Sequence, residues 1–433
     1  MTENTKRDQV VLPGLSREGR SEQGDHDFSF TRVPEKARKG FLPMFFIMLG
    51  FTFFSASMSV GAKLGNGLDL SGFLVAMLFG GIILSAYTGF LAYMSADTGL
   101  SFDLLARRSF GKRGSKLASV LIGFTQIGWF GVGVAMFAVP AAELLHLPPF
   151  LLVVLAGLCM TASAYFGIQG MEIVSYISVP LIAGLGIYSM AQAIGQGGGL
   201  AAIFSKSSGQ LSVFEGIGLV IGSFISGGTA TPNFARFAKT KKMAVLTTVI
   251  AFFLGNSLMF SFGAVGGAFT GKDDIFYVMI AQGLALAALV VLGSNIWTTN
   301  DNALYTGGLG LSNITGISKR PMVLLAGAVG TLSALWLYNN FVGWLNFLNA
   351  SLPPIGGILI VDYLMNRKAY FQEDVEKDLH PLAFLGVLLG AVAGNLIPWG
   401  ISGLNSLLAA VVVYYLGMKW ERRRSVAVSK CAD

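Results

Sequence analysis

The sequence predicts an all-α integral membrane protein with twelve transmembrane helices. Three observations predict it. Of 433 residues, 53% are hydrophobic and 12% charged, too apolar for an ordinary soluble domain. Twelve stretches approach the roughly 20 apolar residues that a span needs. Cationic residues gather in alternate connections between them, as membrane topology favours. The 56 glycines suit close packing of helices in lipid.

The first 40 residues are polar and of mixed charge. Residues 1–39 read as a disordered cytoplasmic tail without the basic-then-apolar pattern of a cleaved signal peptide. Spans follow at 41–63, 71–95, 115–142, 149–168, 171–195, 212–235, 242–270, 275–311, 321–338, 341–364, 382–398 and 401–419, and 420–433 is a second cytoplasmic tail. The eighth is too long for one straight helix, so a loop or re-entrant piece is expected at its end. Only Tyr338-Asn339-Asn340 divides the ninth from the tenth.

With the N-terminus in the cytoplasm, the even-numbered connections are cytoplasmic. They hold Arg107, Arg108, Lys112, Arg113 and Lys116, then Arg236, Lys239, Lys241 and Lys242, then Lys319 and Arg320, then Arg367 and Lys368. Lys419, Arg422, Arg423 and Arg424 follow the last span, whereas the opposite connections carry only Lys63, Lys206 and Lys272. Twelve spans with both ends inside satisfy this bias, which also explains the net charge of +7 without nucleic acid.

Three spans are interrupted by polar or small residues. Span one reads Gly50-Phe-Thr-Phe-Phe-Ser-Ala-Ser-Met-Ser59, and span six reads Gly222-Ser-Phe-Ile-Ser-Gly-Gly-Thr-Ala-Thr-Pro232. Breaks five spans apart point to an inverted repeat with discontinuous helices one and six and a mid-membrane site. The repeats would cover 40–196 and 211–365, with two extra helices in 381–419 and the whole domain at 40–419. The alternative is that the Gly/Ser stretches are close-packing surfaces.

The third interruption is Ser294-Asn-Ile-Trp-Thr-Thr-Asn-Asp-Asn302 in span eight. Polar groups at bilayer depth usually face a cavity and mark a solute or ion path. Asn295, Thr298 and Thr299 share a helical face. Their oxygens, with carbonyls of Gly50 and Phe53 at an unwound helix one, would suit a hard cation. Equally, both threonines can bond back to their own helix. Asp301 could bind a cation or shuttle a proton, but its neighbours Asn300 and Asn302 point to a helix end and a structural or gating role. Glu172, Glu215 and Asp362 lie near span ends and are expected to snorkel or pair.

In span three, Gln126 and Trp129 face the same way. An amide and an indole suit a small planar solute with mixed hydrogen-bonding groups, and core packing explains the tryptophan as readily. Phe224 in span six would give the opposite wall, and freed backbone at Ser223 would read the solute's edge; packing is the alternative for Phe224. Cys159 and Cys431 imply neither a disulfide framework nor a metal site, and His26, His146 and His380 lie outside the apolar runs. No cluster with catalytic spacing lies within the spans, which argues against an enzyme. The polar residues gather in three spans rather than along a pore, which argues against a channel.

From about Pro34 to the end of span ten, and more loosely beyond, the chain resembles bacterial cytosine permeases of the nucleobase–cation symporter-1 family. The likeness rests on Ala37-Arg-Lys-Gly40, Gly50-Phe-Thr-Phe-Phe-Ser-Ala-Ser57, Thr125-Gln-Ile-Gly-Trp-Phe-Gly-Val-Gly-Val-Ala-Met-Phe137, Asn295-Ile-Trp-Thr-Thr-Asn-Asp-Asn-Ala-Leu-Tyr305 and Leu335-Trp-Leu-Tyr-Asn-Asn-Phe-Val-Gly-Trp344. It implies two inverted five-helix repeats plus two helices, in a multi-pass protein of the bacterial inner membrane. It also implies cytosine uptake by sodium-coupled symport through alternating access, by a monomer among membrane lipids. The resemblance places the base between Trp129 and Phe224, read by Gln126, Asn295 and the backbone at Ser223. It places the co-transported sodium on carbonyls of Gly50, Phe53 and Asn295 and hydroxyls of Thr298 and Thr299. Other planar solutes (a purine, allantoin or a hydantoin), with proton coupling, form the alternative. One departure is Asn233, where relatives usually have an acid before the aromatic and arginine that here are Phe234 and Arg236.

Overall fold

In the computed structural model, which describes residues 27–372 and 378–430, the chain is helical throughout its apolar stretches. After a 3-10 turn at Glu35–Ala37, the first span is a pair, α1 (Phe41–Thr52) and α2 (Ser55–Gly67), bent by 51°. Its break falls at Phe53-Phe54, both in extended backbone. The Thr52 hydroxyl bonds back to the carbonyls of Met48 (3.2 Å) and Leu49 (3.3 Å), a contact that bends helices.

Helix α3 (Leu70–Thr98) starts on Asp69, whose carboxylate accepts from Gly72 N at 2.8 Å, and stops at Gly99, where φ is 71°. The next connection, a loop by sequence, contains α4 (Phe102–Phe110), capped by Ser101. Then come α5 (Ser115–Leu145), α6 (Pro149–Ala164), α7 (Ile168–Gln196) and the short α8 (Leu200–Phe204). Ser212 and Glu215 form a capping box at the start of α9 (Val213–Ala230), which α10 (Pro232–Ala235) follows. Helix α11 (Lys241–Val249) runs through a π turn at Ile250–Gly255 into α12 (Asn256–Thr270).

The remaining helices are α13 (Ile275–Ala281), α14 (Ala285–Thr315), α15 (Lys319–Asn339), α16 (Phe341–Ser351), α17 (Pro353–Asn366), α18 (Pro381–Leu396) and α19 (Ser402–Lys430), with a 3-10 turn at Arg367–Phe371. Among the described residues, seven spans are long and apolar enough to cross a membrane, or eight with the bent α1–α2 pair. Helices α6 and α18 are shorter apolar helices.

Three expectations need correction. Span six is not unwound at Ser223 or Gly227-Gly228: α9 runs unbroken to Ala230, and the chain changes helix only at Thr231-Pro232. The glycines there are packing surfaces, since a Cβ on Gly222 would lie 2.3 Å from the Asn349 amide and one on Gly228 2.9 Å from Thr88. Span eight divides near its start, at Gln282-Gly283-Leu284, not its end. Asn300, Asp301 and Asn302 therefore sit inside α14 rather than at a helix end. They are held there by Asn302 Nδ2 on Thr298 O (2.9 Å), Asn300 Nδ2 on Phe130 O (3.3 Å) and Ser163 Oγ on Asp301 (2.6 Å).

The expected tail at 1–39 is only partly described, because residues 1–26 lie outside the described residues. Residues 27–39 strap the basic end of the bundle instead of hanging free. Lys319 pairs with Asp27 at 2.6 Å, and Arg236, fully buried, donates to the carbonyls of Asp27 (2.8 Å) and Phe28 (3.0 Å) and to the Tyr305 hydroxyl (3.1 Å). Lys39 pairs with Glu172, so that acid does pair. Asp362 accepts from Ser109, Tyr370, Tyr414 and Asn366, which ties α4, α17 and α19 together. Inside the bundle α5 packs along α14 and α15, α2 along α12, and α3 along α9, while α18 and α19 pair on the outside beside α17.

Candidate functional site

The site forms where the break of α1–α2 meets α5, α9 and α14. Helix α14 can lie close to α5 because Gly133 has no side chain, and a Cβ there would sit 2.3 Å from Asn300 Oδ1. A cavity of about 300 Å³ lies at this junction. Phe51, Phe54, Gln126, Trp129, Ser223, Phe224, Gly227, Thr299, Asn300 and Ala303 line it.

Four of the five expected solute residues therefore come together: Gln126, Trp129, Ser223 and Phe224. Trp129 is 6% exposed and stands edge-on to Phe54, with centroids 5.7 Å apart, and to Phe341 at 5.9 Å. Phe224 packs edge-on against Phe51 at 5.4 Å. Edge-to-face neighbours fix both rings and leave aromatic surface at the cavity. Gln126 Nε2 donates to Ser226 Oγ at 2.7 Å, and Ser226 donates to Thr125 Oγ1 at 3.0 Å. Ser223 turns its hydroxyl to its own helix at Val220 O (2.9 Å).

Asn295 does not line the cavity. Its amide donates to the carbonyl of Phe53, which the helix break leaves without a helical partner, since Ser57 N bonds to Phe54 O instead. Here the local demand for a donor outweighs the pull toward the cavity.

The five oxygen donors expected from α1 and α14 do converge. Thr299 Oγ1 lies 3.4 Å from Gly50 O, 3.3 Å from Phe53 O and 3.5 Å from Asn295 O. Thr298 Oγ1 donates to Asn295 O at 2.7 Å, and Ser178 Oγ of α7 donates to Thr298 Oγ1 at 3.3 Å. Three carbonyls thus surround Thr299 Oγ1, and Thr298 Oγ1 joins them through Asn295 O; such an all-oxygen nest suits a hard cation. No carboxylate belongs to that set. Asp301 faces α6 instead, where Ser163 also receives Trp297 Nε1 at 2.6 Å.

Sequence reasoning missed Phe51 and Phe54, although one lies just before the break in span one and the other within it. It missed Ser226, one turn from Gly222 in the interrupted string, and Ser178, which no motif marks. Thr299, which the sequence marks as an ion ligand alone, also lines the cavity. Asn233, the departure noted above, accepts from Phe102 N at 2.9 Å and donates to Thr306 at 3.4 Å, away from the cavity.

Residues 32–376 match the family described as permeases for cytosine/purines, uracil, thiamine and allantoin. The cytosine permease of Escherichia coli strain K12 is 52% identical over 395 residues, covering 90% of this chain and 94% of that protein. The hydantoin permease of Microbacterium maritypicum is 22% identical over 365 residues, covering 74% of each. Among solved structures, a nucleobase-cation-symport-1 family transporter in a closed conformation with bromovinylhydantoin bound superimposes with a TM-score of 0.76 at 19% identity, over 89% of this chain and 93% of that one. That last likeness is one of fold. The relatives are permeases, not enzymes.

Proposed function

The chain belongs to the family of permeases for cytosine, purines, uracil, thiamine and allantoin, and on that premise we propose that it imports cytosine together with sodium by alternating access. Cytosine is chosen because the 52% identical relative is a cytosine permease. One observation carries the coupling: Thr299 belongs to both places at once, lining the cavity and lying 3.3–3.4 Å from the two carbonyls exposed by the break of α1.

In this reading the base stacks between Trp129 and Phe224, with Gln126 on its polar edge and Ser223 beside it. Stacking on an aromatic ring is worth about 1–3 kcal/mol per base. Sodium sits among the carbonyls of Gly50, Phe53 and Asn295 and the hydroxyls of Thr298 and Thr299. Asn295 would turn from Phe53 to the base once the ion takes over that carbonyl. Each ligand then raises the affinity for the other by the same factor.

We place the protein in a bacterial inner membrane as a monomer of twelve spans, with two inverted repeats at 40–196 and 211–365, helices α18 and α19 added, and both termini in the cytoplasm. The basic connections support that orientation. Uptake of labelled cytosine into proteoliposomes, with and without an inward sodium gradient, tests the proposal. Uptake indifferent to sodium removes the coupling, and undiminished uptake by Gln126→Ala removes the site. A competition panel of purines, uracil, allantoin and hydantoins decides between cytosine and another planar solute.

A further inference from the structure

Away from the cavity, a groove runs on the outside of the bundle between α3 and α17. Phe90, Tyr93, Met94, Ile360, Tyr363 and Leu364 line it, around an empty volume of about 570 Å³. Phe90 is 53% exposed and Leu364 62%, so the groove opens onto the surface that faces lipid. Its walls are apolar along most of their length.

One end differs. There Tyr93 and Tyr363 stand edge-on, with centroids 6.4 Å apart. Lys241 Nζ lies 5.3 Å from the Tyr93 ring, and Arg367 Nε donates to the Tyr363 hydroxyl at 3.1 Å. Both cations pair with one carboxylate, Asp97, each at 2.8 Å. The Asp97 side chain is only 8% exposed, whereas those of Lys241 and Arg367 are 40% and 52% exposed. This triad holds one more positive than negative charge, and its cations are on the outside. It sits at the end of α3 and α17 that carries the basic connections.

We propose that this groove binds one anionic phospholipid. An acyl chain lies along Phe90, Met94, Ile360 and Leu364. The glycerol region meets the two tyrosines, which suit a depth where apolar and polar surroundings meet. The phosphate rests on Lys241 and Arg367, in the leaflet where anionic lipid is attracted to basic residues. An apolar trough continuous with a cation pair matches the two parts of such a lipid and neither part of a free ion. Asp97 holds the cations in place, and the lipid completes their charge.

Native mass spectrometry of the full chain, released from detergent with phosphatidylglycerol or phosphatidylcholine added, tests this. The wild type is expected to retain a single phosphatidylglycerol at least fivefold more often than phosphatidylcholine. Lys241→Gln with Arg367→Gln is expected to abolish that preference. Leu364→Trp fills the trough from an exposed position, keeps the charges, and is expected to lower retention of both lipids; it decides the matter should the double variant fail to fold. Equal retention of the two lipids by the wild type overturns the proposal, as does retention that Leu364→Trp leaves unchanged. Displacement of phosphatidylglycerol by millimolar inorganic phosphate assigns the cations to a free ion, and a dimer that forms in place of the lipid adduct assigns the groove to a second copy; either also overturns it.

Discussion

Gln126 and Ser226 are joined by a 2.7 Å hydrogen bond from amide to hydroxyl, which ties α5 to α9 beside the cavity. The serine in turn is oriented by Thr125. Gln126 is thus aimed before any solute arrives, and little of its rotamer freedom is lost on binding. If the proposed site is right, replacing Gln126 by Ala removes a direct contact, so cytosine uptake is expected to fall at least a hundredfold. Ser226→Ala only loosens the amide, and the KM for cytosine is expected to rise about three- to tenfold with little change in maximal rate. Initial uptake rates over a range of cytosine concentrations separate the two.

The oxygen nest leads to a second expectation, read through sodium rather than cytosine. Thr299→Ala deletes the hydroxyl that lies between the Gly50 and Phe53 carbonyls. The sodium concentration for half-maximal uptake is expected to rise more than tenfold, and Thr299→Ser, which keeps the oxygen, is expected to stay near wild type. Ser178 only steadies Thr298 from α7, so Ser178→Ala is expected to shift the sodium requirement about two- to fivefold. Sodium titration of uptake at saturating cytosine measures all three.

Gly50 permits the close approach of α1 to α7. A Cβ at that position would stand 2.2 Å from Ser175 Oγ and 2.8 Å from its Cβ. Overpacking of this kind typically costs about 1–3 kcal/mol and moves backbone. Gly50→Ala is therefore expected to lose most sodium-dependent uptake, because the displaced atom chain includes a carbonyl of the nest. Ser175→Gly in the same chain removes both clashing atoms and is expected to restore a good part of it. Failure of that rescue, with both variants folded in the membrane, would show that the clash is not the cause.

Much of this architecture could be read from the residues. Hydropathy located the apolar stretches, and the break in span one fell within the quoted string, because Thr and Ser compete with the helix for its own hydrogen bonds. The break expected in span six misled, since Gly-Gly has two physical meanings: backbone freed for a ligand, and a flat surface for a neighbour. Only the packing of Thr88 and Asn349 against α9 distinguishes them. The string at Ser294–Asn302 was legible as polar, but its place inside a helix depended on partners from α5 and α6, which no local pattern encodes. Gln126, Trp129 and Phe224 were legible because chemistry rare in an apolar helix points inward. Ser178 and Ser226 were not, because a serine in such a helix usually satisfies itself.

The strap at residues 27–39 leads to a test of closure at the basic end. Lys319 is almost wholly buried against Asp27, and removing one partner of a buried pair typically costs about 3–5 kcal/mol. Arg236 holds the same segment through two backbone carbonyls. In a chain whose native cysteines are replaced and Ser29→Cys is added, labelling by a membrane-impermeant maleimide in inside-out vesicles is expected to rise severalfold with Lys319→Met or Arg236→Gln. Sodium and cytosine are expected to change the rate in the wild type and much less in either variant. Labelling unaffected by both substitutions would remove the strap from the gating path.

Asp103 in α4 makes stability depend on pH in a direction that can be derived. Its carboxyl is buried, and burial pushes its pKa up to about 6, against hydrogen bonding from Ser119 and the charges of Arg107 and Arg236, which pull it down. Arg107 does not pair with it directly; it donates to Asn313, whose amide reaches Ser119 at 2.7 Å. The unfolded chain releases this proton near the ordinary carboxylate value of about 4. Between those values the folded protein binds the proton more tightly than the unfolded one, so stability falls as pH rises from about 4 to about 6 and levels off above. Two units correspond to about 3 kcal/mol. Asp103→Asn keeps an acceptor for Ser119 and removes the charge. Its apparent melting temperature in detergent is expected to match wild type near pH 4, exceed it at pH 7, and lack the decline between them; parallel curves for the two proteins would place the decline on another group.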